Sequence, residues 1–187
     1  MTLTARLARD ESDLDEMTAL RVEAEKWLRT KDIAQWTEDY ADYARGVLRD
    51  SVDRGAAWLV CAGDEVAATV TINGPDPDFW GWASSDDQRD ALYLGKMIVS
   101  RRHAGQQVGD AIMNWISQRA AQAGKGWIRL DCRRDNQRLQ AYYLARGFSF
   151  VRVYHAPGRR TESGWLAQRP AGSRTPTTTE IVEDHTP

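Results

Sequence analysis

The run Met97-Ile-Val-Ser-Arg-Arg-His-Ala-Gly-Gln-Gln-Val-Gly-Asp-Ala-Ile112 gathers residue types that hold phosphate. An apolar strand ending at Val99 feeds a turn with Gly105 and Gly109, and a helix opens near Val108. The first N–H groups of a helix lack intrahelical acceptors, and the aligned peptide dipoles add about half a positive charge there. A phosphate or pyrophosphate suits such a terminus, and Arg101, Arg102 and His103 add positive charge beside it. Glycines between a strand and a helix also serve plain turns by permitting positive φ, so the pattern alone leaves that reading open. Neither Gly-x-Gly-x-x-Gly nor Gly-x-x-x-x-Gly-Lys-Ser/Thr occurs, which argues against a dinucleotide fold or a P-loop.

Two further groups carry possible chemistry. Alternation along Trp127–Cys132 puts Arg129 and Asp131 on one strand face, where a partly buried carboxylate either accepts a proton or pairs with Arg129, Arg133 or Lys96. Nearer the start, Trp27, Trp36, Tyr40 and Tyr43 are interleaved with Glu25, Glu38, Asp39 and Asp42. Aromatic faces with carboxylates suit a cationic amine, although a solvated helix face with a few core aromatics has the same composition. Cys61 and Cys132 sit in separate apolar runs, and the three histidines are scattered. No metal-ligand spacing results, and both cysteines read as reduced core residues.

The elements that would position these groups follow from periodicity. Thr2 to Leu7 suits a strand; Leu14, Met17, Leu20, Ala24, Trp27 and Leu28 recur at helical spacing after a cap at Ser12 with Asp15. Tyr40 to Ser51 suits a second helix. Ala57–Cys61 and Val66–Ile72, joined through Gly63-Asp64, predict a hairpin. Residues 74–90 read as a long polar loop, and Ala91–Val99 as the strand feeding the glycine turn. Val108, Ala111, Ile112, Trp115, Ile116, Ala120 and Ala123 line one helical face. Trp127–Cys132 is a strand, Asn136 to Arg146 a short helix, and Phe148–Tyr154 and Gly164–Gln168 two more strands. The strand, crossover helix and parallel strand from Ala91 to Cys132 form a right-handed middle. From Arg169 to the end, little apolar content predicts a disordered tail.

Length and charge bound the class. One domain is expected from 187 residues, and a net charge of −2 disfavours nucleic acid as a partner. No run reaches the ~18 apolar residues of a membrane span and the N-terminus lacks a signal-peptide core, so no membrane partner and a cytoplasmic location are expected.

Within these elements the chain resembles the GCN5-related N-acetyltransferase (GNAT) family. That family's acyl-CoA loop reads Gln/Arg-x-x-Gly-x-Gly/Ala after an apolar strand. Here Gly109 matches, Gly105 fits a commonly preceding glycine, and Ala104 and Gln107 depart from the pattern. The later Asn-x-x-Ala/Leu-x-x-x-Tyr-x-x-x-Gly-Phe is met at every position by Asn136, Leu139, Tyr143, Gly147 and Phe148. The resemblance spans roughly Leu3 to Gln168 and implies an α+β GNAT-like domain over residues 1–168, with 169–187 as the tail. It implies a central mixed, mostly antiparallel sheet splayed at the acyl-CoA site, with helices on both faces.

The resemblance also implies roles. Acetyl-CoA would be the acyl donor, contacted by Met97, Ile98, Val99, Arg102, Gly105, Gln107, Val108, Gly109, Asn136 and Tyr143. Tyr143 would be the general acid for the leaving thiolate, with Asp131 a candidate base. The acceptor, a primary amine most simply of a small molecule, would meet Trp27, Trp36 and Tyr93. No metal is implied, and a homodimer is a possible assembly. The rival is a non-catalytic acyl-CoA-binding sensor or interaction module of the same fold, which the departures at Ala104 and Gln107 favour.

Overall fold

The computed structural model describes residues 1–33, 41–81, 83–155 and 162–184, and two compact units divide them. The first comprises Met1–Thr71, Lys96–Ala111 and Thr177–Pro187; the second comprises Ile72–Gly95 and Ile112–Pro176.

In the first unit, β1 (Thr2–Leu7) pairs antiparallel with β2 (Ala57–Ala62), from Thr4↔Cys61 to Leu7↔Trp58. Strand β2 pairs antiparallel with β3 (Glu65–Asn73) as the expected hairpin, whose turn includes Gly63 at φ +62°. Helices α1 (Glu11–Arg29) and α2 (Ala41–Asp53) belong to this unit. Leu14 and Met17 of α1 and Leu48 of α2 join Ala8, Ala57, Leu59 and Cys61 in one buried cluster. The cap of α1 differs from expectation. Asp10, not Ser12, accepts the N–H of Asp13, because Asp10 stands in extended backbone one residue before the helix. Asp13 is then free to take both guanidinium nitrogens of Arg6, at 2.7 and 3.0 Å, and the N–H of Arg9 at 2.8 Å.

The tail also departs from expectation. Glu180–Glu183 is a strand, β8, running parallel to β1 with Thr2↔Glu180 and Ala5↔Glu183 in register. Thr, Ile and Val at 177–182 have strand propensity, and the edge of β1 supplies the ladder that local composition could not reveal.

In the second unit, β5 (Trp127–Arg133) pairs parallel with β4 (Ala91–Val99) and antiparallel with β7 (Ser163–Pro170). The edge strand β6 (Ser149–Val153) pairs antiparallel with β7. The observed pairings are thus mixed and mostly antiparallel, as expected. The supposed loop at 74–90 contains two short helices, α3 (Pro77–Trp80) and α4 (Ser85–Arg89), capped by Asp76 and Ser84. Burial of Trp80 with Phe79, Ala91, Tyr93 and Leu166 explains this order: a large ring covered by the core anchors a segment whose composition is polar.

Helix α5 (Val108–Gln122) buries Val108, Ala111, Ile112, Trp115, Ile116 and Ala120 of the predicted face, leaves Ala123 exposed past its end, and is followed by Gly124 with φ +67°. Helix α6 (Gln137–Leu144) starts under the side chain of Asn136 and is followed by Gly147 at φ +80°. Arg169, expected to open a disordered tail, is instead among the most buried side chains. Its guanidinium donates to Asn114 Oδ1 at 2.9 Å, Ser173 Oγ at 2.7 Å and the Arg146 carbonyl at 3.1 Å. Asn114 Oδ1 also accepts the N–H of Thr175 at 2.8 Å, so the chain after β7 is tied down.

Candidate active site

The β4–β5 ladder runs only from Ala91↔Trp127 to Tyr93↔Arg129. Three residues past Tyr93, Lys96 adopts φ +46°, a left-handed conformation inside a strand. Strand β4 continues through Met97, Ile98 and Val99 into a 3₁₀ turn at Arg101–His103. Ser100 opens that turn by accepting the Arg102 N–H on its hydroxyl at 3.3 Å.

The turn that follows is left-handed at two positions. Gly105 has φ +81° and Gln107 φ +58°. The first backbone bond into α5 is Ala111 N–H to Gln107 C=O at 3.0 Å, which leaves the N–H groups of Val108 and Gly109 without intrahelical acceptors. Those donors, at the positive end of a long helix, can bind an anion.

The side chains around the turn are partly committed elsewhere. The Arg101 guanidinium lies 4.0 Å from the Trp27 ring centroid, and its N–H donates to Glu23 at 2.9 Å. Arg102 meets Glu65 at 3.2 Å in an exposed pair, which contributes little and competes weakly with a phosphate. His103, expected to lend charge, is buried, and its Nδ1 has no hydrogen-bond partner. The Gln107 amide oxygen accepts the Thr178 N–H at 2.9 Å and the hydroxyls of Thr178 and Thr177 at 3.1 and 3.3 Å. Gln107 therefore offers a ligand its backbone rather than its carbonyl oxygen. Sequence reading missed Glu23 and the tail threonines; the strand-prone Thr177–Val182 run was the available signal.

In the second unit, Tyr143 is buried near the end of α6, its ring edge-on to Tyr142 and Phe148 at 5.5 Å each. Burial pushes its hydroxyl far above the ordinary phenol range. The charge of Asp131 pushes the same way, against Arg146. The group is a neutral donor at any physiological pH. Asn136 performs the capping role, accepting the Leu139 N–H at 3.0 Å.

Asp131 is half-buried on β5. Two of its expected partners go elsewhere: Arg129 pairs with Asp87 at 2.8 Å and Arg133 with Asp135 at 2.5 Å, while Lys96 Nζ reaches Ser51 Oγ at 3.4 Å. The neighbouring Cys132 thiol is pushed up to about 12, first by burial and then by the charge of Asp131. It is an inert core residue, as Cys61 is a buried free thiol.

The acceptor candidates fare unevenly. Trp27 is half-buried beneath Arg101, so one ring face already holds a cation from the chain itself. Tyr93 is buried. Its hydroxyl donates to the Gln88 carbonyl at 3.0 Å and accepts from Arg129 at 3.3 Å, and its ring meets Trp80 edge-on at 5.5 Å. Trp36 lies outside the described residues. Met97–Val99, Arg102, Gly105, Gln107, Val108, Gly109 and Trp27 thus belong to the first unit, and Tyr93, Asp131, Asn136 and Tyr143 to the second. Among the described residues there is no cluster of His, Cys, Asp and Glu suited to a metal, and no helix long and apolar enough to cross a membrane.

Comparison with known proteins addresses the same region. The model of the acetyltransferase (GNAT) family matches residues 20–148. The Uncharacterized N-acetyltransferase YesJ of Bacillus subtilis (strain 168) is 30% identical over 142 residues, 74% of this chain and 78% of that protein. A GNAT family acetyltransferase from Listeria monocytogenes 4b F2365 has a similar fold, with TM-score 0.69 and 22% identity over 90% of this chain and 94% of that one. The PaiA N-acetyltransferase from Thermoplasma acidophilum, solved in complex with coenzyme A, gives TM-score 0.62 and 12% identity over 91% and 99% of the two chains. On the family match and the Bacillus subtilis relative, the chain belongs to the acetyltransferase (GNAT) family.

Proposed function

We propose that this chain is an N-acetyltransferase that moves an acetyl group from acetyl-CoA to a primary amine of a small molecule, by direct attack within a ternary complex. The observation that carries the reading is the turn into α5. Left-handed residues at 105 and 107 precede a helix whose first N–H groups face no intrahelical acceptor, a cradle suited to the donor's pyrophosphate. Val108, Gly109 and the Gly105 turn would hold the phosphates, with Arg102 adding charge. The main chain of Met97–Val99 would run beside the pantetheine arm, and its N–H groups would polarise the thioester carbonyl.

The neutral amine then attacks the thioester carbon, the C–S bond breaks, and sulfur leaves as thiolate. In this reading Tyr143 donates to that sulfur. A phenol raised above a thiol gives the developing anion a hydrogen bond, and any proton that Tyr143 passes to sulfur is restored to it from water as the products depart. Asp131, half-buried on β5, would take the ammonium proton directly or through water. Aromatic and acidic residues from Trp27 to Tyr43 support a cationic acceptor.

Calorimetric titration with acetyl-CoA, followed by thiol release against a panel of amines, tests the proposal. Micromolar binding with amine-dependent thiol release is the expected result. Binding without release from any amine would favour the sensor alternative, and absence of binding would remove the acyl-CoA reading.

A further inference from the structure

The conformation of Gln107 is the unusual feature of the turn. A side chain other than glycine is strained in the left-handed region and persists there only where surroundings hold it. What holds Gln107 lies seventy residues away in sequence. Its amide oxygen takes one backbone N–H and two hydroxyls from Thr177 and Thr178. Next to it, the Thr179 hydroxyl donates to the Gln106 carbonyl at 2.8 Å, and Thr179 is buried. The segment is fixed in turn. The amino terminus donates to the Thr178 carbonyl at 2.9 Å, Glu180 N–H reaches the Met1 carbonyl at 2.9 Å, and β8 continues along β1.

We propose that Thr177–Thr179, anchored by β8, is a positioning element for the acyl donor: it holds residues 106 and 107 in the conformation that aims the α5 N–H groups at the pyrophosphate. The proposal rests on the acyl-CoA reading. Gln107 stands where the family pattern has glycine, a residue that enters the left-handed region without penalty. In this chain a tethered glutamine replaces that freedom, so donor affinity depends on the tail.

The test is a cycle in the full-length protein, read as Kd for CoA by calorimetry and as amide exchange at residues 107–109. Thr177→Val with Thr178→Val removes two hydroxyl donors while keeping shape. It is expected to weaken CoA about fivefold, corresponding to roughly one hydrogen bond, and to speed exchange at 107–109, raising KM for acetyl-CoA more than it changes kcat. Gln107→Ala, which keeps the strain and loses the tether, is expected to weaken CoA about tenfold. Gln107→Gly, which relieves the strain, is expected to recover most of that loss, and in its background the threonine pair should have no further effect. Equal losses for Gln107→Ala and Gln107→Gly, or threonine variants that lower Tm with Kd and exchange unchanged, would reduce the tail to a structural brace and overturn the proposal. Failure of the unmodified protein to bind CoA would instead overturn the acyl-CoA reading, and the proposal with it.

Discussion

Single residues separate the chemical part of the proposed site from its scaffold. Tyr143 is buried and neutral, so the hydroxyl's value lies in what it donates, not in ionising. Tyr143→Phe keeps the edge-on packing with Phe148 and removes only that donor. We expect kcat to fall about 100-fold, with Kd for acetyl-CoA within about twofold of the unmodified protein. Because the lost contact would act on the leaving group, kcat rather than ground-state binding carries the effect. Steady-state kinetics beside calorimetry would check this, and an unchanged kcat across pH would leave Tyr143 as core packing. Gly109→Glu has the opposite signature. It sets a carboxylate against the N–H groups proposed for the pyrophosphate and should weaken CoA by roughly 100-fold or more through like-charge repulsion and desolvation; because Gly109 is buried, Tm should fall as well.

Elements depend on ties that their own sequences do not display. Arg169 at the end of β7 joins α5 through Asn114, the end of α6 through the Arg146 carbonyl, and the following turn through Ser173. Arg169→Met retains much of the apolar stem but leaves several acceptors short of a donor. The expected destabilisation is roughly 2–4 kcal/mol, measured by urea unfolding, with proteolysis after residue 170 becoming faster. Resistance unchanged from the unmodified protein would show that β7 and its neighbours hold the turn without the guanidinium. Helices α3 and α4 illustrate the same dependence: their capping residues were visible in sequence, but Trp80 under Arg129, at 4.9 Å, is a tertiary fact.

For the whole molecule, acid stability has a predictable sign. Burial pulls the Asp13 carboxyl upward, but the hydrogen bond from Arg6, with the Arg9 N–H, outweighs it and holds Asp13 below the ordinary carboxylate range. A depressed folded value means that its contribution is fully present above the unfolded value of about 3.9 and is lost as pH falls through the lower folded one. Stability should therefore decline below about pH 4. Asp13→Asn should cost roughly 1–3 kcal/mol at neutral pH and flatten the acid limb of a Tm-against-pH profile. An acid limb of unchanged slope in the variant would assign acid sensitivity to other carboxylates.

Much of the architecture was legible in the chain because it is written in short range. The β-rich runs of β2 and β3 joined at Gly63, the apolar spacing of α5, and the Asn136-to-Phe148 spacing need only neighbouring residues to be read. The fold class and family follow from them. Tertiary structure decided what distance along the chain conceals. Asp10 rather than Ser12 caps α1 because backbone geometry chose the acceptor. Tyr93, besides its local bond to Gln88, meets Arg129 from 36 residues away, and Arg101 covers Trp27 from a distant part of the chain. The tail shows the reason most plainly. A threonine-rich segment cannot bury enough apolar surface to order itself, yet β1 offers it a ladder and Gln107 offers it an acceptor, neither of which exists until the rest of the chain has folded.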